Sequence, residues 1–515
     1  MKYILIIITL FPNLIVAQKY DYIWQMGLSF TKTNQAPRGF EINFNNGVTK
    51  IKSFERDYHF RNAASSMCDK NGNFLFAVNG CRILNKEHNT MQNGDSLYFP
   101  SGLGDLTCNQ QGAEGTIGIQ SVLTLPKPLS SDSLFYIFHQ HYDWLYGQQR
   151  VPTVTRLEYS IVNINKNAGL GEVVQKKVIF INDTIESGIT AVKHANGQDW
   201  WIITKKEKSN KYYTFKLTPQ GLTEPFFQAI AMPSDTDCSG GNNILFSPDG
   251  RKMAMNCVAD SGATLFDFNR NSGLLSNPVF LKMPIDRAVN ILPGASFSAN
   301  SRFLYLLDGV YIMQFDINAS DIQGSRTEVA RWNGIRVDGL IPSMAAAQLA
   351  PDCRIYYSPA DGVRQFGYIR YPDRKGVACE VVQLGIDLTR DSVVLRNCMP
   401  NIPNYRLGIT PTYPCDSTIS FRVATKETLP PLSIILYPNP VGNELNIDYT
   451  PDNANGELEI KLFDIVGKTV FKQKFDAFKD PLSINVSNLA EGMYIIAASV
   501  QGKKTYTQKI IKVRN

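Results

Sequence analysis

The sequence predicts an all-β chain: a β-propeller of seven blades, with six as the alternative, followed by a small immunoglobulin-like antiparallel β-sandwich. Three observations carry that expectation. A hairpin pattern recurs through the middle of the chain, strict apolar/polar alternation governs residues 434–515, and helical periodicity is almost absent, apart from a short turn expected at Met344 to Ala347.

The repeat is clearest in three copies. Phe246-Ser247-Pro248-Asp249-Gly250-Arg251-Lys252-Met253-Ala254 returns 51 residues later as Phe297-Ser298-Ala299-Asn300-Ser301-Arg302-Phe303-Leu304-Tyr305, and 52 residues after that as Leu349-Ala350-Pro351-Asp352-Cys353-Arg354-Ile355-Tyr356-Tyr357. Weaker copies carry Asp69-Lys70-Asn71-Gly72-Asn73, Asp132-Ser133-Leu134-Phe135 and Asn196-Gly197-Gln198-Asp199. In each, an apolar residue ends one strand, a Pro, Asp, Asn or Gly cluster reverses the chain, and an aromatic or aliphatic run opens the next. A third strand follows the strong copies, as at Leu265-Phe266-Asp267-Phe268 and Ile312-Met313-Gln314-Phe315. Units of about 50 residues with four short strands fit propeller blades. Blades must stack into a ring to bury their faces, and closure is expected from the leftover segments Gly39 to Ile51 and Asn401 to Ser420.

The chain opens with Lys2 and an apolar run from Ile4 to Val16, interrupted by Pro12 and Asn13, which reads as an export signal over residues 1–17. The run is shorter than the ~20 residues that span a bilayer, so no transmembrane anchor is expected. Cleavage is placed between Ala17 and Gln18; a residue other than cysteine after that point removes the thiol needed for lipidation. The chain of 515 residues is 43% hydrophobic, ample for packed cores. Its formal charge of +6 is small and scattered, and the densest basic run, Lys205 to Lys211, contains Glu207, so a nucleic-acid partner is not expected.

Nine cysteines follow the cleavage point, none in a C-x-x-C spacing. In an oxidising compartment some disulfides are expected, with Cys68–Cys81 and Cys238–Cys257 preferred because each pair flanks a strand-turn-strand segment, and the odd count leaves a thiol unpaired.

The propeller is assigned residues 18–416 and a linker residues 417–433, stiffened by Pro430-Pro431. Beyond it Leu445, Ile447 and Tyr449 alternate with polar residues, as do Leu458, Ile460 and Leu462, then Leu482, Ile484 and Val486. Period two over short strands gives a sandwich with one buried face per sheet.

Three ordered motifs in this last region resemble a known family. They are Tyr437-Pro438-Asn439-Pro440-Val441-Gly442, then Asp464-Ile465-Val466-Gly467-Lys468, then Leu489-Ala490-Glu491-Gly492-Met493-Tyr494, ending in a basic strand with Lys512. Together they look like the type A sorting domain of the Bacteroidetes type IX secretion system. The resemblance implies an exported cargo, recognised by that machinery after passage through the periplasm and either released or held at the outer cell surface. Residues Trp24 to Gly408, including Asn79-Gly80, Gln111-Gly112-Ala113 and Pro400-Asn401-Ile402-Pro403-Asn404-Tyr405-Arg406-Leu407-Gly408, resemble WD40-like and lactonase-like propeller regions found upstream of that domain. That likeness implies a fold and transfers no activity.

Four motifs invite chemistry. Gly94-Asp95-Ser96-Leu97 spells a hydrolase nucleophile motif, but its family needs an Asp-x-x-His that the sequence lacks, and a loop is expected instead. His139-Gln140-His141-Tyr142-Asp143 sets two imidazoles on one strand face, yet Trp144 stands where a further ligand is needed, so no metal is assigned. Asp69-x-Asn71-x-Asn73 begins like a calcium loop but meets Gly80 at the bidentate position and reads as a turn. Trp200-Trp201 and Tyr212-Tyr213 put one ring on each face of a strand, which leaves one of each pair exposed for a glycan or peptide. No catalytic residue and no cofactor is assigned. The expected function is binding of a protein or glycan ligand outside the cell; the alternative is a propeller hydrolase, lactonase or lyase using acidic residues at the channel mouth.

Overall fold

The computed structural model describes residues 18–28, 38–56, 58–98, 108, 115–145, 151–230, 243–257, 262–284, 294–389, 393–421, 434–449, 457–476, 482–500 and 504–513. The leader expected at 1–17, with Ala17, lies outside these residues, as do Cys238, Gln111-Gly112-Ala113 and residues 422–433 of the expected linker. The chain divides into two compact units, Met1–Val423 and Ala424–Asn515.

Among the described residues of the first unit, seven mainly antiparallel sheets follow one another. Blade 1 holds Ile23–Met26, Arg38–Asn43 and Val48–Glu55; blade 2 holds Ser65–Cys68, Phe74–Val78 and Ile83–Asn85. Blade 3 is built from Val122–Pro126, Leu134–Leu145, Val151–Asn163 and Glu172–Ile181. In blade 4, Thr190–Lys193, Trp200–Lys205 and Lys211–Thr218 pair in order, and both Gly221–Leu222 and Phe226–Ala229 lie against the third strand. Blades 5 and 6 run Ile244–Phe246, Lys252–Cys257, Gly262–Asn269, Leu274–Lys282 and Gly294–Phe297, Phe303–Leu307, Tyr311–Asp316, Thr327–Arg331. Blade 7 is Ala347–Leu349, Ile355–Tyr357, Gln365–Ile369 and Val381–Asp387.

The repeated hairpins share one turn chemistry. In blade 5 the Lys252 amide donates to Ser247 Oγ at 2.9 Å and the Arg251 amide to Asp249 Oδ1 at 3.1 Å. The blade 6 copy reproduces both bonds, with Phe303 on Ser298 and Arg302 on Asn300. Gly250, Ser301 and Cys353 hold the same left-handed position in successive copies, with φ of 72°, 59° and 65°. Short polar side chains capture the turn amides before the strands pair, which is why Ser, Asp and Asn recur there.

The ring closes. Blade 1 meets blade 7 where Trp24 packs edge-on against Tyr356, Phe40 lies tilted against Phe366, and Thr49 Oγ1 donates to Asp352 Oδ2 at 2.8 Å. Closure is composite: Ser420–Phe421 returns from beyond blade 7 to pair in parallel with Val48 and Thr49. Trp24, Phe40, Phe44 and Tyr356 are fully buried at this seam. Each large ring removed from water contributes about 1.5–3 kcal/mol, so the seam is held by packing more than by its few hydrogen bonds.

Two expectations are overturned. Met344 to Ala347 is no helical turn: Met344 exchanges hydrogen bonds with Gly309 and Ala347 begins a strand. Cys68 is a free buried thiol, and Cys81 pairs with Cys108, because Cys68 on the first strand of blade 2 faces the core while Cys81 lies past the second strand. A second disulfide, Cys353–Cys415, was not anticipated.

The second unit is a two-sheet sandwich. Ile434–Tyr437, Glu444–Tyr449 and Leu482–Asn485 form one sheet; Thr469–Asp476, Glu457–Phe463, Gly492–Val500 and Lys504–Lys512 form the other. Leu445, Ile447, Leu458, Ile460, Leu462, Ile484, Ile496 and Ile510 fill the space between them.

Candidate functional site

After blade 7 the chain does not leave the ring; it runs through it. Val394 pairs with Leu28 and Leu395 with Val363. The Asn401 amide nitrogen then donates to the Ala64 carbonyl at 3.0 Å, and its side-chain Nδ2 donates to the carbonyls of Val122 at 3.0 Å and Ile189 at 2.8 Å. Those three residues stand where the first strands of blades 2, 3 and 4 begin. Farther along, Tyr405 Oη donates to the Thr124 carbonyl and Asn404 Nδ2 to the Pro248 carbonyl, both at 2.8 Å, and the Asp416 amide reaches the Pro351 carbonyl. Pro248 and Pro351 follow the first strands of blades 5 and 7. The segment therefore crosses from one end of the central channel to the other.

Its composition explains its conformation. Pro400 and Pro403 have no N–H to give to a ladder, so the segment cannot join a sheet. The amides of Asn401 and Asn404 supply the missing donors and bond to the inner strands. Trp200 and Tyr20 pack edge-on against the buried Tyr405 ring. At the far end Arg406 Nη1 donates to Asp21 Oδ2 at 3.0 Å and its Nη2 to Asp21 Oδ1. Arg270 holds the Gly408 carbonyl, and the Cys353–Cys415 disulfide ties the segment to blade 7.

Beside this plug lies a pocket, partly open to solvent, lined by the first strands of blades 4 to 7 and by Asn401 to Asn404 and Arg406. Its polar lining is neutral: Gln120, Thr190, Asn243, Ser247, Ser296, Gln348, Asn401 and Asn404. Asp21 and Arg406 are the charged members, and they are engaged with each other. Gln120 stitches the rim of the cavity, its Nε2 donating to Asn243 Oδ1 at 3.1 Å and its Oε1 accepting the Ile244 amide at 2.9 Å. Among the described residues this arrangement offers donors and acceptors to a polar ligand and no uncommitted acid or base.

Titratable groups concentrate in blade 3. His139 stands opposite Glu158, and His141 opposite Arg156, on neighbouring strands. Ser160 Oγ lies 3.1 Å from His139 Nε2, and His139 Nδ1 lies 3.7 Å from Glu158 Oε2. Serine, histidine and acid thus stand in the order of a nucleophilic relay, but all three are buried and Ser160 Oγ also accepts the Lys177 amide. A substrate carbonyl has no route to that oxygen. Burial pushes the Glu158 carboxyl up to about 7 and the imidazoles of His139 and His141 down to about 3 and about 4. The His139–Glu158 contact is accordingly one between a neutral imidazole and a half-protonated carboxyl. In blade 4, Glu186, 3.6 Å from Lys205, is likewise raised to about 7 by burial.

The other sequence motifs resolve as turns or core. Asp69 Oδ1 accepts the amides of Asn71 and Asn73 and so caps its own hairpin. Ser96 donates to Asp95, which pairs with Lys176, and no histidine attends it. Among the described residues no group of three or more His, Cys, Asp or Glu could hold a metal ion. Trp200, Trp201, Tyr212 and Tyr213 are all buried, against the expectation that one of each pair is exposed: neighbouring blades cover both faces, and Phe227 covers Tyr213 and is itself 54% exposed. The channel plug carries no such signature. Its only sequence signal is a Pro- and Asn-rich stretch without alternation after the last blade strand.

In the second unit the first and third of the resembling motifs meet at the final strand, and the second makes the hairpin between Glu457–Phe463 and Thr469–Asp476. Tyr437 ends the first strand, followed by exposed Pro438. Asn439 receives the Ile511 amide and donates to the Lys509 carbonyl, both at 3.0 Å; Pro440 and Gly442 flank Val441, which bridges Lys512 in parallel. Asp464 Oδ1 accepts the amides of Val466 and Lys468 around Gly467 at φ 86°. Leu489 packs on the core, Gly492 opens the next strand, and Tyr494 Oη donates to the Ala490 carbonyl. Lys512 is buried, with its Nζ on the Val513 carbonyl.

Residues 435–513 match the secretion system C-terminal sorting domain family. No curated protein matches the chain. Similar solved structures include a periplasmic gluconolactonase from Pseudomonas aeruginosa, 14% identical over 71% of this chain and 97% of that one, with a TM-score of 0.39. An auxiliary nutrient binding protein from Bacteroides thetaiotaomicron is 13% identical over 58% of this chain and 67% of that one, at 0.32. A candidate 6-phosphogluconolactonase from Bacteroides fragilis is 12% identical over 73% and 96%, at 0.40. The sorting-domain match indicates secretion to the cell surface or beyond. No helix among the described residues is long and apolar enough to cross a membrane.

Proposed function

We propose that this chain is an exported, non-catalytic binding protein: residues 1–17 are removed at Ala17-Gln18, the second unit directs outer-membrane translocation by the type IX machinery, and the propeller holds a protein or glycan ligand. The observation that carries the binding role is the cavity beside the plug. Its lining hydrogen-bonds without charge, and its Asp21 and Arg406 neutralise each other. Such a lining suits hydroxyls and amides, the groups of a sugar or a peptide backbone, and supports no proton transfer.

The purified mature chain is expected to bind members of a panel of neutral oligosaccharides and capped dipeptides, read by calorimetry, and to turn none of them over. Gln348→Ala and Ser296→Ala are each expected to weaken binding about fivefold, the effect of one lost neutral hydrogen bond. Reproducible turnover of a lactone or polysaccharide by the purified chain would sink this reading in favour of the hydrolase.

A further inference from the structure

We propose that the outer face of the four-stranded sheet in the second unit is the surface by which the export machinery grips this chain, an inference that rests on reading that unit as an export signal. The inward positions Leu462, Tyr494, Ile496 and Ile510 fill the sandwich core. Alternation then assigns the positions flanking them to water, yet Phe463, Met493, Ile495 and Ile511 among those positions are apolar. Phe463 pairs with Ile495 and Met493 with Ile511, so the four side chains form a band across three neighbouring strands. Met493, Ile495 and Ile511 are 45, 46 and 40% exposed. The hairpin that follows Phe463 adds Ile465 and Val466 at 77 and 83%. Isolated exposed apolar residues are ordinary, but a contiguous band of this kind marks a contact surface.

Charge selects the partner. Lys509 pairs with Ile495, and Lys461 stands directly opposite Lys472, an unfavourable like-charge pair. Glu459 serves both of those lysines, at 2.7 and 3.2 Å. The face is therefore an apolar band that holds Lys509 within it and is flanked by Lys461 and Lys472, which share Glu459. Its occupant is a protein with an apolar groove bordered by carboxylates.

The test uses the full chain in cells that export it. Met493→Glu with Ile495→Glu is expected to lower the secreted fraction at least tenfold, and Lys509→Glu severalfold, while thermal unfolding of the second unit is unchanged. Should the double variant fail to fold, Ile465→Asp with Val466→Asp at the exposed hairpin tip reads the same surface. Normal export of these variants, when deletion of residues 434–513 blocks export, overturns the surface and leaves the export signal standing; export after that deletion overturns both. Binding of the wild-type chain to phosphatidylglycerol vesicles that the double variant loses, or a dimer that it dissociates, likewise overturns the assignment by naming a different occupant.

Discussion

Arg406 closes on Asp21 across 385 residues of sequence, a two-bond contact between the end of the channel plug and the start of blade 1. Both side chains are less than a tenth exposed. The pair joins the two ends of the ring, so the plug is part of the closure and not merely its filling.

Breaking that pair from one side leaves a buried charge without its partner, which costs about 3–5 kcal/mol. Asp21→Ala is expected to destabilise the propeller by that amount in urea unfolding, with Arg406→Met in the same background recovering much of it. Equal losses for the single and double variants would show that Asp21 acts through something other than Arg406.

The covalent tie is expected to act on the same segment. Cys353 and Cys415 are 62 residues apart, and closing a loop of that length restricts the unfolded chain by about 4 kcal/mol. Cys415→Ser should lower the urea midpoint accordingly and render residues near Gly408 and Ile409 open to protease. Reductant should reproduce the effect in the wild type. A midpoint that does not move under either treatment would mean that the plug is held by Asn401, Tyr405 and Arg406 alone.

The blades were legible because their turns write themselves in sequence: Ser247, Asp249 and Gly250 must be short, polar or permissive, and Phe303 or Ile355 must follow to start the buried strand. The seam was legible in part, since the unassigned stretches Gly39 to Ile51 and Asn401 to Ser420 had to go somewhere, although only Ser420 of the second joins the closing strand. The plug was not. Asn401 and Asn404 act through side-chain bonds to carbonyls hundreds of residues away, and such contacts leave no periodicity. Sequence alternation also misjudged Tyr213, because Phe227 from a later strand of the same blade covers it. Cys81 chose Cys108 over Cys68 for a reason equally invisible in spacing: Cys68 is buried in the first strand of blade 2, all of whose residues are covered.

Gly39 illustrates a backbone requirement in the seam. A Cβ there would lie 1.9 Å from Arg56 Cζ. The Arg56 side chain cannot yield, because Nη2 donates to the carbonyls of Met26 and Gly27, Nη1 to Gln25, and the guanidinium packs over the rings of Tyr58 and Phe60. Gly39→Ala is expected to cost about 3 kcal/mol or more, in the range of severe overpacking. Restoration of stability by Arg56→Met in that background would locate the cost in this contact, and a wild-type melting temperature for Gly39→Ala would refute it.

The blade 3 cluster predicts a particular acid profile. His139 and His141, held at about 3 and about 4 against an ordinary 6.5, take up fewer protons folded than unfolded, so their contribution to stability is lost as pH falls from about 6.5 towards 3. Glu158, held at about 7 against 4.5, retains a proton that the unfolded chain releases, so its contribution is lost as pH rises from about 4.5 to 7. The two slopes oppose each other between about 4.5 and 6.5, and below 4.5 only the histidines act. Relative to wild type, Glu158→Gln is therefore expected to gain stability as pH rises from 4.5 to 7, whereas His139→Asn loses less than wild type between 4.5 and 3. Urea midpoints measured at intervals of half a pH unit check both. Parallel curves for wild type and His139→Asn below 4.5 would mean that the imidazole charges freely in the fold, and that the relay of Ser160, His139 and Glu158 is open to water after all.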